Sequence, residues 1–235
     1  SHGTQCFCTR CTSMWHNYNI MGMFSIFEYV FDIILPPRAR TARTKARTLE
    51  AIPLSPMSHD TLGVRITTLM EYQNIAVEDL IRSLKYDGSS HAANLAASVL
   101  ADYLREEISS SRTFSARKII LVPIPLHKSR ERERGWNQIE LVLQALPQEF
   151  HGSLAEFAPK ALVRSRSTRP QTHLSRSERL SNVSGAFVVA DKSLICDAHV
   201  FLIDDVTTTG ATLANAATVL RRAGAKVTLI ALARA

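Results

Sequence analysis

The stretch "FLIDDVTTTGATLANAATVL", Phe201 to Leu220, constrains the chain more than any other, because it sets two carboxylates between an apolar run and a series of small hydroxyl residues. Val200 to Ile203 is a short continuous apolar run, which suits a strand buried on both faces of a parallel sheet. The chain is expected to leave the sheet at Asp204. From Ala211 the alanines, Leu213, Val219 and Leu220 recur at helical spacing, and Gly224 closes the pattern as a C-terminal cap. The stretch therefore reads as strand, turn and helix.

In an open parallel sheet, ligands gather at the carboxyl ends of strands, and a helix N-terminus offers unpaired N–H groups to an anion. The turn Thr208, Thr209, Gly210, Ala211 and Thr212 has the composition of a phosphate cradle: small side chains, a flexible glycine and hydroxyl donors. Asp204 and Asp205 would repel a phosphate unless they face vicinal hydroxyls or a metal ion. A ribose carrying a 5-phosphate satisfies both halves of the stretch.

Other stretches bound the alternatives. No Gly-x-Gly occurs, which excludes a dinucleotide-binding fingerprint, and the Gly-Lys-Ser/Thr ending of a P-loop is absent, as is His-Glu-x-x-His. The net charge of +7 favours an anionic partner, either a phosphorylated metabolite or a nucleic acid. Cys6, Cys8 and Cys11 crowd into "CFCTRC" apart from Cys196, which is no secreted disulfide framework and points to a reducing, cytoplasmic setting. They are weak zinc ligands, since only one Cys-x-x-Cys pair is present and no second follows.

"IMGMFSIFEYVFDIIL", Ile20 to Leu35, is shorter than the about 20 residues of a membrane span, and Glu28 and Asp32 interrupt it, so an amphipathic helix is expected. The basic residues follow it rather than precede it, the reverse of a cleaved signal. Ser1 rather than a methionine opens the chain, and Met14, Met21 and Met23 are read as alternative starts.

Pro36 to about Asp60 lacks a sustained apolar period and reads as a linker. Residues 1–60 are thus expected to be an N-terminal helical and linker appendage, and 61–235 the main domain. Beyond it, "GVRITTLMEYQN" is β-rich; "IAVEDLIRSLKYDGS" is helical to near Gly88; a helix follows from about His91 to Ile108. "ARKIILVPIPL" reads as a strand, "WNQIELVLQAL" as a helix and "AKVTLIALARA" as a closing strand. This alternation predicts an α/β domain with a mainly parallel sheet flanked by helices.

Two basic segments accompany the acidic pair. "VPIPLHKSRERERGWNQIE" leaves its strand into an expected loop bearing Lys128, Arg130, Arg132 and Arg134, where a solvated helix start is the alternative. "LVRSRSTRPQTHLSRSERLSNVSGAF" carries Arg164, Arg166, Arg169, Arg176 and Arg179, and could close over a ligand with arginine forks facing a pyrophosphate.

The Val200–Thr212 pattern resembles the signature of type I phosphoribosyltransferases. Together with "DLIRSLKYDG", "VPIPLHKSRERERGWNQ", "RSRSTRPQTHLSRSERLSNVSGAF" and "VFLIDDVTTTGATL", in that order, the chain resembles the ComF (GntX) family of phosphoribosyltransferase-like proteins associated with DNA uptake and competence. The resemblance implies a type I phosphoribosyltransferase fold and a site for phosphoribosyl pyrophosphate (PRPP) with Mg²⁺. Carried over by position, Asp204 and Asp205 would meet the ribose hydroxyls and Thr208–Thr212 the 5-phosphate, with Asp204, Asp205 and Thr208 the catalytic candidates. Lys85, Lys128, Arg134 and Gln138 would line the pyrophosphate, and Arg164, Gln171, Arg176 and Arg179 match the mobile-loop block.

The family's N-terminal zinc module is not matched, because Ala39 stands where its Pro-Pro-Arg-Cys cysteine would be; zinc is therefore not expected. The implied activity is transfer of phosphoribose with release of pyrophosphate, the acceptor being unspecified. The alternative is a non-catalytic PRPP or nucleotide sensor, or a single-stranded-DNA adaptor of the uptake machinery.

Overall fold

The computed structural model describes residues 39–164 and 186–235. Arg40–Ala235 form one compact unit. Eight strands occur among the described residues: β1 Met57–Thr61, β2 Val64–Glu71, β3 Ile119–Pro123, β4 Glu156–Phe157, β5 Leu162–Arg164, β6 Phe187–Val189, β7 His199–Thr207 and β8 Lys226–Arg234. Six of them make one sheet in the order β1-β2-β8-β7-β3-β4, and β5 and β6 pair separately. Only the β1–β2 contact in the large sheet is antiparallel; β2–β8, β8–β7, β7–β3 and β3–β4 are parallel. The expected α/β class with a mainly parallel sheet is present.

Helices α1 Ala39–Lys45, α2 Ile75–Asp87, α3 Ser90–Phe114, α4 Lys128–Arg134, α5 Gln138–Gln144, α6 Lys192–Ile195 and α7 Ala211–Arg222 connect the strands. Their apolar faces create two cores, one on each side of the sheet. Leu80, Leu84, Leu100, Leu104, Ile139 and Val142 of α2, α3 and α5 pack with Leu121, Phe201 and Ile203. On the other face Leu213, Ala216, Ala217 and Leu220 of α7 and the β5–β6 pair pack with Ile120, Val122, Val200 and Leu202. The pleat explains the split, since alternate residues of β3 and β7 face opposite ways. Ile119–Val122 of β3 and Val200–Ile203 of β7 are continuous apolar runs for the same reason: neither stretch has a solvent face.

The segment from Arg40 to about Asp60, expected as linker, belongs to this compact unit and holds α1, a 3₁₀ turn at Leu49–Ala51 and the start of β1. Helix α1 docks through polar groups. Arg43 donates twice to Asp79 of α2 at 2.8 and 2.7 Å, and Arg47 once at 3.1 Å. Arg40 binds Asp87 at 3.0 and 3.2 Å, while buried Thr41 and Thr44 meet Ser83. The paired guanidinium groups hold the Asp79 carboxyl below the usual carboxylate range, with burial opposing. Asp79→Ala leaves Arg47, itself largely covered, without its anion and is expected to cost about 2–4 kcal/mol. Urea unfolding reads that loss, and a cost below about 0.5 kcal/mol would show that α1 docks by other means.

Two further differences from the expected layout have local causes. Lys128–Arg134 is a helix rather than a loop, fixed by His127 as its N-cap and by Gly135 in the left-handed region (φ +84°) as its C-cap. Helix α3 runs on to Phe114, well past Ile108. His199 is a packing residue: its Nε2 lies 2.8 Å from Thr228 Oγ1, its ring stacks on Phe201, and burial pushes its pKa down to about 4. Among the described residues no helix is long and apolar enough to cross a membrane. Ile20–Leu35 lies outside the described residues.

Candidate functional site

Strands β3 and β7 lie side by side, but the chain leaves them in opposite directions. After β3 it passes through α5 on one face to β4 on the outer side; after β7 it passes through α7 on the other face to β8. Such a reversal opens a crevice at the carboxyl ends of the two strands. The last β3–β7 pair is Pro123 with Ile203, followed by a bond from Ile124 N–H to the Ile203 carbonyl at 2.8 Å. Strand β7 continues past that point, because β8 keeps pairing with it as far as Thr207 and Arg234. The expected exit at Asp204 is thus corrected: Asp204 and Asp205 are strand residues bordered by β8 on one side and by the crevice on the other.

Asp205 is buried and faces the α2 and α5 layer. Gln138 Nε2 donates to Asp205 Oδ2 at 2.6 Å, and Lys85 Nζ, from the last turn of α2, lies 3.7 Å from the same oxygen. Asn137 prepares this contact. Its Nδ2 donates to the Ile124 carbonyl and its Oδ1 accepts from Ile139 N–H, both at 3.0 Å, so the exit of β3 is tied to the start of α5 with Gln138 at its first position. Trp136 Nε1 donates to the Leu84 carbonyl at 3.0 Å, satisfying one of the unpaired groups at the end of α2. Trp136 is therefore a packing residue that fixes the turn of α2 carrying Lys85.

Burial pushes the Asp204 carboxyl well above the usual carboxylate range, and adjacent Asp205 adds to the rise while Lys85 opposes it. A carboxyl raised in this way beside a second carboxyl marks a place short of positive charge. Arg164, at the end of β5, supplies some: burial lowers its pKa, Asp204 opposes that fall and Arg130 of α4 adds to it. The Arg164 guanidinium also lies over the Phe187 ring at 5.5 Å.

Arg134 reaches Gln138 Oε1 at 3.5 Å and stacks over Tyr86 at 5.6 Å, on the periphery of the pair. Lys128 stands exposed in the first turn of α4, with no contact to either carboxylate among the described residues. Gln171, Arg176 and Arg179 lie outside the described residues, as do Cys6, Cys8 and Cys11.

The acidic pair runs directly into Thr208–Thr212. Thr208 is exposed, Thr209 and Thr212 are half-buried, and Gly210 and Ala211 are buried. Gly210 adopts φ +75° as the residue before the 12-residue helix α7 and has no side chain to cap it, while the first N–H of the helix, that of Ala211, donates to Thr209 Oγ1 at 3.4 Å. The arrangement offers what an anion needs beside what a polyol or cation needs.

A cavity of about 420 Å³ lined by Arg112, Arg117, Lys118 and Glu156 lies at the opposite, amino end of β3. Its cations are committed to the Ser153 and Leu154 carbonyls, to Asp197 and to Glu156.

Asn137 and Thr61, which contacts the Thr209 carbonyl at 3.1 Å, were not among the residues expected from sequence. An Asn just before an apolar helical run is a recognisable cap signal; nothing local marks Thr61.

No family model matches the chain. Among curated proteins it is 32% identical over 163 residues to the DNA utilization protein YhgH of Escherichia coli (strain K12), covering 68% of this chain and 67% of that protein. It is 31% identical over 165 residues to the competence protein ComFC of Streptococcus pneumoniae, 70% of this chain and 66% of the other. The competence protein ComFC of Bacillus subtilis is 28% identical over 167 residues, 70% and 62% of the respective chains. A solved structure of the allosteric regulatory enzyme of purine biosynthesis aligns over 64% of this chain and 29% of that one, with a TM-score of 0.32 and 14% identity, too distant to bear on function.

Proposed function

The chain belongs to the ComFC/YhgH family of competence and DNA-utilization proteins, and from that premise we propose that it binds PRPP at the end of β7 and transfers its phosphoribosyl group with release of pyrophosphate. The observation that carries the reading is the continuity of Asp204 and Asp205 with the Thr208–Thr212 turn at the β3/β7 crevice. The 5-phosphate would sit on the backbone N–H groups of Thr208–Thr212 and the start of α7. Asp204 would accept from ribose hydroxyls, and its negative charge would favour the cation-like anomeric carbon as the bond to pyrophosphate breaks and the bond to the acceptor forms.

Asp205 acts in this reading from behind, its carboxylate kept in place by Gln138 and Lys85. Arg164, Arg134 and Lys128 would offer charge to the departing pyrophosphate, joined by Arg176 and Arg179, with the Gln171 amide as an uncharged donor. No cluster of three or more metal-binding side chains occurs among the described residues, but Mg²⁺ needs only one or two carboxylates when phosphates supply the rest. The raised pKa of Asp204 fits a site that takes a group bringing positive charge. Mg²⁺ held by Asp204 would neutralise charge on the pyrophosphate.

The relatives are named for DNA utilization and competence, and with the net charge of +7 those names favour, as second reading, a site retained for sensing PRPP or holding single-stranded DNA. Binding of PRPP that disappears in the Asp204→Asn/Asp205→Asn double variant tests the first reading, and pyrophosphate release separates enzyme from sensor. DNA binding that PRPP fails to displace would favour the adaptor.

A further inference from the structure

Strands β1 and β2 form a hairpin with the two-residue connection Leu62-Gly63, whose φ values are +49° and +72°. Positive φ at both positions is the geometry of the tight hairpin turn that matches strand twist, and it fixes the register. Thr61 pairs with Val64, and β2 is in turn bound to β8, so the direction of the Thr61 side chain is set by the main sheet. That side chain reaches across the fold. Its Oγ1 donates to the Thr209 carbonyl at 3.1 Å, over a separation of 148 residues. Its γ-methyl and the δ-methyl of Ile66 fill the space beside Gly210, each 2.6 Å from where a Cβ would lie.

We propose that Thr61 is a positioning residue of the anion loop: it holds the Thr209–Gly210 peptide with its carbonyl toward the hairpin. The proposal rests on the ribose-phosphate reading of Thr208–Thr212. A trans peptide directs its C=O and N–H oppositely, so a carbonyl claimed by Thr61 sends the Gly210 N–H away from the hairpin. Rotation of that peptide would be easy in a free loop, because glycine adopts nearly any backbone angles. Turned over, it would present a carbonyl oxygen where an anion requires a donor. Thr61 thereby selects the binding orientation before ligand arrives, a contribution from outside the motif that meets no ligand itself.

The test compares Thr61→Val, which keeps the shape and removes the hydroxyl, with Thr61→Ser, which keeps the hydroxyl and removes the methyl packed against Gly210. Ribose 5-phosphate affinity is measured by calorimetry, and Tm alongside. The Val variant is expected to bind roughly 3–12-fold more weakly, the factor one net hydrogen bond provides, and the Ser variant within about twofold of the parent, whichever has the lower Tm. Equal weakening in both variants would reduce Thr61 to packing and overturn the proposal, as would a Val variant that binds like the parent. A parent chain that takes up no ribose 5-phosphate would instead remove the ribose-phosphate reading itself, and the role of Thr61 with it.

Discussion

Gly210→Ala is expected to destabilise the protein by about 2–4 kcal/mol, combining the cost of a left-handed backbone for alanine with overpacking. The residue has φ +75°, and its added Cβ would stand 2.6 Å from both Thr61 Cγ2 and Ile66 Cδ1. Ile66 is fully buried and has nowhere open to move. In a domain of this size the loss lowers Tm by roughly 4–16 °C. A chain that instead relieves the clash by lifting the loop off the hairpin would keep more of its stability and lose ribose 5-phosphate affinity. Thermal unfolding and titration together read both effects, and an Ala variant unchanged in both would contradict the close fit of the loop against β1 and β2.

Asp204→Asn is expected to move stability and binding in opposite directions. The folded-state pKa of Asp204 is raised by burial and by Asp205, so above the ordinary carboxylate range the folded protein retains a proton that the unfolded chain releases. The folded state then binds more protons, and stability falls as pH rises through the interval between the unfolded and folded pKa values. Asparagine, of nearly the same shape and uncharged, removes this loss. The variant should match the parent at acid pH and gain on it as pH rises, by an amount on the order of 2–4 °C in Tm for each 1 kcal/mol recovered. PRPP affinity should fall at the same time, the pattern of a site whose charge serves a ligand at the fold's expense. A variant less stable than the parent at neutral and alkaline pH would mean that the Asp204 charge is already compensated in the free protein.

The motif around Asp204 was legible because its parts are local: a buried strand, a small-residue turn and an amphipathic helix in immediate succession. Its strand was read too short because the pairing that extends β7 to Thr207 comes from β8, whose alignment no local pattern reveals. Helix α1 escaped notice because its docked face is Thr41 and Thr44 with flanking arginines, which carry no apolar period. Helix α4 is legible only as the alternative to a loop for a related reason, since "KSRERER" buries nothing and depends on its two ends. Lys85 and Gln138 were found through their motif blocks, yet their shared role on Asp205 required chain segments more than 50 residues apart to meet. Thr61 was out of reach altogether, as an ordinary strand residue before a Leu-Gly turn that lacks the usual Asn or Asp.

Calorimetric titration of PRPP into the parent chain and the Asp204→Asn/Asp205→Asn variant, each with and without Mg²⁺, tests the central claim most directly. Saturable binding by the parent, strengthened by Mg²⁺ and absent from a variant that still unfolds cooperatively, is the predicted result. Equal binding by both proteins, or none by the parent under either condition, would contradict the assignment of a PRPP site to the end of β7.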